Sequence, residues 1–135
     1  MKLLPDTQIL IWAADSPEVL PGKALDLLNN LDNDVFFSSV SIWEVAIKFG
    51  LRKPDFQVDP RVLHHGLLSS GYQELYIRGQ HTLAANELPG LHKDPFDRLL
   101  IAQAKVEGMT LLTCDAGIAA YPGPILFAGK PDTTK

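Results

Sequence analysis

At 135 residues, 46% of them hydrophobic, and with a formal net charge of −4, the chain can build one domain around one core and lacks a disordered composition. Its 12 Lys and Arg residues are scattered rather than massed, which excludes holding nucleic acid by a broad basic face and leaves only a focused contact open. The single cysteine, Cys114, cannot close an internal disulfide, so a reducing cytoplasm and a small buried thiol are the expectation.

Lys2-Leu3-Leu4-Pro5 predicts a short buried strand that stops at Asp6, after which Ile9, Leu10, Trp12 and Ala13 recur at helical spacing. Pro5, Asp6, Thr7 and Gln8 interrupt the apolar residues, so no export signal is expected. No run approaches the roughly 20 apolar residues that cross a bilayer, and no membrane partner is expected. Ala24, Leu25, Leu27, Leu28 and Leu31 predict a second helix, stopped by Asn29-Asn30 before a strand at Val35-Phe36-Phe37. Ser41 is expected to open a third helix through Ile42, Trp43, Val45, Ala46 and Phe49, ending near Gly50 in a left-handed cap.

The middle of the chain predicts a helix over 60–70, a short strand at Leu75-Tyr76-Ile77 and another helix over 81–88. Pro95 suits a first helical position, Leu99, Leu100, Ala102 and Ala104 follow, and Gly108 ends that helix. A buried strand over 109–114 and an edge strand at Ile125-Leu126-Phe127 complete the series, with a flexible tail expected over 129–135. Strands with continuous apolar character, alternating with helices, predict an α/β fold: one domain over 1–128 with a central, mostly parallel sheet covered on both faces.

Four acids stand where the apolar segments stop: Asp6, Glu44, Asp97 and Asp115. Each has an ordinary explanation. Ser41-x-x-Glu44 fits a capping box, Asp94 caps a helix whose first turn holds Asp97, and Asp6 and Asp115 can start turns after strands. Together they carry more, because ligands in open α/β sheets bind beyond the carboxyl ends of the strands. Carboxylates crowded there repel one another unless a cation compensates them, and an all-oxygen set suits Mg²⁺ or Mn²⁺. Zinc is not expected, since His64, His65, His81 and His92 read as surface or local hydrogen-bonding residues. Thr7 and Thr113 are candidates to support metal-bound water or a phosphate, or merely to satisfy turn amides. Arg98 and Arg52 are candidate phosphate contacts, and Lys48, four residues after Glu44, reads as half of a surface ion pair.

The segments Leu3-Leu4-Pro5-Asp6-Thr7, 38–46 around Ser41-Ile42-Trp43-Glu44, 92–104 around Asp94-Pro95-Phe96-Asp97-Arg98, and Leu111-Leu112-Thr113-Cys114-Asp115 resemble those of PIN-domain proteins, specifically VapC-type toxins of prokaryotic toxin–antitoxin pairs. The resemblance implies a PIN domain whose acids, Asp6, Glu44, Asp97 and Asp115, surround Mg²⁺ or Mn²⁺ and support hydrolysis of RNA, typically tRNA or other structured RNA. It implies a homodimer and a cognate antitoxin as partners. Asp94 stands beside this set in a structural or outer role. The expected products, from a water activated by the ion, carry a 5′-phosphate and a 3′-hydroxyl. Pro5 and Cys114 depart from the residues more usual at their positions, and neither removes a ligand. Two other classes compete: a silent PIN module that only binds RNA or protein, and a phosphate-accepting receiver domain. The receiver is disfavoured because Thr7, not a second acid, follows Asp6 and no lysine follows the strand at 111–115.

Overall fold

The computed structural model describes residues 1–91 and 94–131. Five strands, β1 (Lys2–Pro5), β2 (Asp34–Ser38), β3 (Gln73–Leu75), β4 (Thr110–Thr113) and β5 (Ile125–Phe127), form one sheet in the order β3-β2-β1-β4-β5. All four pairings are parallel: Leu3 of β1 stands between Val35 of β2 and Thr110 of β4, and Phe37 of β2 pairs with Glu74 of β3. This order is not the 2-1-3-4-5 of the flavodoxin-like frame that receivers share, which removes the receiver reading.

The helices are α1 (Thr7–Asp15), α2 (Gly22–Asn29), α3 (Ser39–Gly50), α4 (Pro60–Ser69), α5 (Gly79–Asn86), α6 (Pro95–Glu107) and α7 (Ala116–Ala119), with a 3-10 turn at Pro17–Val19. Because side chains alternate across a strand, Leu4 and Leu111 point to one face and pack with Leu100, Ile101 and Ala104 of α6 and Ile118 of α7. On the opposite face Leu112 packs with Ile9 of α1 and Ala24 of α2, while Phe37 packs with Leu10, Val45, Leu63 and Leu67. Each fully buried leucine contributes about 2 kcal/mol of burial free energy, so the sheet is held from both sides. Among the described residues, no helix is long and apolar enough to cross a membrane.

The α/β expectation is met, as are the cap of α6 by Asp94, the proline at its first position and the left-handed Gly108 (φ 68°) that ends it. Several local expectations fail. Ser41 does not open α3: Ser38, the last residue of β2, does, its hydroxyl accepting the Val40 N–H at 3.0 Å. The strand runs straight into the helix, so Glu44 lies in the second turn and has no capping-box role. Gly50 stays helical, and Arg52 (φ 54°) takes the left-handed conformation. β3 begins two residues earlier than Leu75 because its register with Phe36–Ser38 places Gln73 and Glu74 in the ladder. His81 is wholly buried rather than on the surface, although its hydrogen bonds include the local one expected of it. His92 and residues 132–135 of the expected tail lie outside the described residues.

Candidate metal centre

Asp6 directly follows β1 and is fixed by both oxygens. Its Oδ1 accepts the Ile9 N–H at 2.9 Å, capping α1, and its Oδ2 accepts the Thr113 hydroxyl at 2.6 Å. Thr113 ends the neighbouring strand β4, and its hydroxyl oxygen accepts the Asp115 N–H at 2.9 Å. One threonine thus ties two adjacent strand ends and orients the acid at each. The Asp115 carboxylate, exposed at the rim, caps α7 by accepting the Gly117 N–H at 2.7 Å.

Glu44 enters from α3, whose position beside α1 is set by the buried hydrogen bond from Thr7 Oγ1 to Ser41 Oγ at 2.9 Å. Although Glu44 is only 5% exposed, one of its oxygens, Oε1, has no hydrogen-bond partner among the described residues. The other, Oε2, accepts the Lys48 ammonium at 2.7 Å. Asp97 comes from the first turn of α6, where the Asp94 carboxylate accepts the Phe96 and Asp97 N–H groups at 2.9 and 3.3 Å.

These five carboxylates line one cavity of about 420 Å³, together with Thr7, Trp12, Lys48, Phe56 and Cys114. The electrostatics record the crowding. Burial pushes the Asp6 carboxyl up to about 6, against the Thr113 and Ile9 hydrogen bonds, with Asp115 and Glu44 adding repulsion. Asp97 is pushed up to about 7 by burial and then by Asp94, Glu44, Asp6 and Asp115 in turn. Burial and the nearby Asp6 also raise the Cys114 thiol to about 11, so this half-buried thiol stays protonated.

All four sequence-predicted acids meet here, with Asp94 beside them as the cap of α6. Among the described residues, no three His, Cys, Asp or Glu side chains already form a cage that could hold a metal ion. The chemistry of the set nevertheless fits a hard divalent ion. A buried carboxylate oxygen without a donor is costly, a cation satisfies it, and the surrounding donors are oxygens rather than thiolate or imidazole. Such an ion would also relieve the repulsion that raises Asp6 and Asp97.

Two expectations about supporting residues need correction. Arg98 does not face the cavity: its guanidinium donates to the carbonyls of Pro89 (2.7 Å), Ala85 (2.9 Å) and Leu88 (3.0 Å) and to the Tyr121 hydroxyl (3.1 Å), which fastens α6 to the end of α5. Thr7 lines the cavity, but its hydroxyl hydrogen is committed to Ser41. Conversely, Lys48 forms the expected pair with Glu44 and stands in the cavity wall rather than on a remote surface. Its spacing of four from Glu44 was the signal, since i and i+4 share a helix face.

Comparison with known proteins places the fold. The chain is similar to VapBC2 from Rickettsia felis bound to a DNA fragment from its promoter, at 20% identity and a TM-score of 0.70 over 94% of this chain and 98% of that one. It is similar to a toxin–antitoxin complex from Klebsiella pneumoniae at 15% identity and a TM-score of 0.65, covering 95% and 98% of the two chains. VapBC-1 from nontypeable Haemophilus influenzae gives 16% identity and a TM-score of 0.61, covering 95% and 98%. No curated protein sequence matches the chain. The model of the PIN domain matches residues 3–124, a span that runs from Leu3 of β1 through β4 and holds every carboxylate of the cavity. The chain therefore belongs to the PIN domain family.

Proposed function

We propose that this protein is a metal-dependent endoribonuclease and the toxin half of a toxin–antitoxin pair, acting in the cytoplasm as a homodimer. The observation that carries the reading is the convergence of Asp6, Glu44, Asp97 and Asp115 on one cavity, with a buried Glu44 oxygen that lacks a partner among the described residues. Toxin–antitoxin complexes among the similar folds support a cognate antitoxin, which would bind so as to silence the site.

In this reading Asp6 and Asp97 hold Mg²⁺ or Mn²⁺, and Glu44 and Asp115 bind it directly or through water. When bound, the ion lowers the pKa of a coordinated water and neutralises charge that grows on the scissile phosphate. The protein's own contribution is placement. Thr113 and the Ile9 amide hold the Asp6 carboxylate, and burial in the α3 wall keeps Glu44 from swinging into solvent. The N-terminus of α6 presents Asp97 through its first turn. The apolar cavity residues Ile11, Trp12 and Ile118 displace water, which strengthens each carboxylate's attraction for a cation.

The test is cleavage of tRNA and other structured RNA by the purified chain with Mg²⁺ or Mn²⁺, and again in chelator. The expected outcome is new ends with 5′-phosphate and 3′-hydroxyl groups, formed only with metal. Cleavage at the same rate in chelator would overturn the metal mechanism, and no new ends with either ion would favour the silent module. Purification with the neighbouring gene product tests the antitoxin, and the mass of the free chain in solution tests the dimer.

A further inference from the structure

The acidic cavity poses a problem for an anionic substrate. A phosphodiester approaching five carboxylates is repelled by each, and a divalent ion offsets only part of that charge. Of the two arginines that the sequence offers as phosphate contacts, Arg98 is spent on three backbone carbonyls and a tyrosine hydroxyl, and Arg52 does not line the cavity. Among the described residues, Lys48 is the one Lys or Arg in the cavity wall.

Its geometry is that of a group held ready rather than used up. The ammonium donates to Glu44 Oε2 at 2.7 Å, which leaves two of its three hydrogens without a partner among the described residues. The side chain is half exposed, whereas the Glu44 side chain it reaches is almost wholly buried. A purely structural surface pair would have two exposed ends; here the buried end anchors the ammonium at the cavity mouth. The carboxylate thereby fixes the position of the one cavity-wall ammonium among the described residues, where it can meet a phosphate oxygen as it reaches the site.

We propose that Lys48 is the phosphate contact of the cavity: its Glu44-anchored ammonium binds a backbone phosphate of the RNA and orients the strand over the carboxylates. This inference rests on the ribonuclease reading and adds a residue to it. Lysine suits the task as a compact charge with donors to spare, and arginine keeps the charge and the capacity to donate to phosphate.

The experiment measures binding of a single-stranded RNA to full-length Asp97→Asn protein in Mg²⁺, with and without Lys48→Gln, across a salt series. A lysine that contacts one phosphate contributes about 0.7 to the slope of log affinity against log salt for a single strand. Lys48→Gln is therefore expected to make the slope shallower by about 0.7 and to weaken binding at low salt, and Lys48→Arg to restore both. In otherwise wild-type protein Lys48→Gln should raise KM more than it lowers kcat. An unchanged slope overturns the assignment, as does a slope that changes equally in Lys48→Arg. If Lys48 merely orients Glu44, calorimetry will show Lys48→Gln weakening Mn²⁺ binding with the salt slope intact, which also overturns it. Cleavage by wild-type protein alongside an unchanged slope removes Lys48 alone; absence of both RNA binding and cleavage in wild-type protein removes the ribonuclease reading and Lys48 with it.

Discussion

Two polar clusters lie toward opposite ends of α6, and they are satisfied to very different degrees. Around His81, which is 0% exposed, each group meets a complement: Nδ1 accepts the Arg78 N–H at 3.0 Å, and Nε2 bonds Glu107 at 2.6 Å. Gln103 continues the chain to the Ser38 hydroxyl at 2.5 Å, and Ser38 caps α3. The acidic cavity has the opposite balance: among the described residues it holds five carboxylates and one lysine, with a buried carboxylate oxygen left over. Buried polar groups that serve packing are normally paired, because an unpaired one costs about 1–3 kcal/mol. The carboxylate oxygen without a partner among the described residues therefore sets the cavity apart from the closed network around His81, whose groups complement one another.

Removing the charge deficit has the largest expected effect on activity and the least on folding. Asp6→Asn and Asp97→Asn should each abolish metal-dependent RNA cleavage in a gel assay. Asp97→Asn should melt no lower than wild type in chelator, because burial already disfavours that charge. A midpoint several degrees lower would show that the cavity carboxylates support the fold and would blur the contrast.

His81→Ala should do the reverse. It opens a hole, strands the Arg78 N–H and leaves Glu107 with the Arg78 guanidinium alone, so a loss of about 2–4 kcal/mol is expected in urea denaturation, with cleavage retained below the midpoint. A loss under about 1 kcal/mol would mean that the network is dispensable.

The smallest effect is on pH. Asp6 and Asp97 hold their protons more tightly folded than unfolded, moving from 3.8 to about 6 and about 7. Native protein then retains protons that the unfolded chain has lost, so this contribution to metal-free stability falls as pH rises from about 4 through 7. Glu107 runs the other way, since hydrogen bonds from His81 and then Arg78 hold it below its ordinary value. Comparing wild type with Asp97→Asn isolates the cavity: thermal melts in chelator should coincide near pH 4 and diverge as pH rises, the variant's midpoint falling less steeply than the wild type's. Mn²⁺ should raise the wild-type midpoint more at pH 8 than at pH 5, because protons and metal compete for the same oxygens. Equal shifts at both values would place the ion elsewhere.

Much of this architecture was legible in the chain because its signals are local. The strand ends at Asp6 and Asp115, the Asp94-Pro95 start of α6 and the Gly108 stop each depend on a few neighbouring residues. What stayed hidden depends on partners far along the chain. Ser41 looks like a helix cap until Thr7, 34 residues earlier, claims its oxygen. His81 looks superficial until Glu107, 26 residues later, meets its ring. Arg98 resembles a phosphate ligand because guanidinium suits phosphate, and only the fold shows that carbonyls from the end of α5 have taken its donors. The acids were recognisable as a set, yet the cavity's lysine was not, because its pairing with Glu44 reads the same on a surface as in a pocket.

The central position of β1 bears on how the protein is made. Its strand partners lie at residues 34–35 and 110–112, and the hydrogen bond that orients Asp6 comes from a residue 107 positions later. Contacts so distant in sequence form late and slowly. During translation the carboxylates therefore cannot assemble until Thr113 and Asp115 have cleared the ribosome, and a chain interrupted earlier lacks the strand that closes the site. The acidic cavity is thus among the last parts of the chain that can be completed.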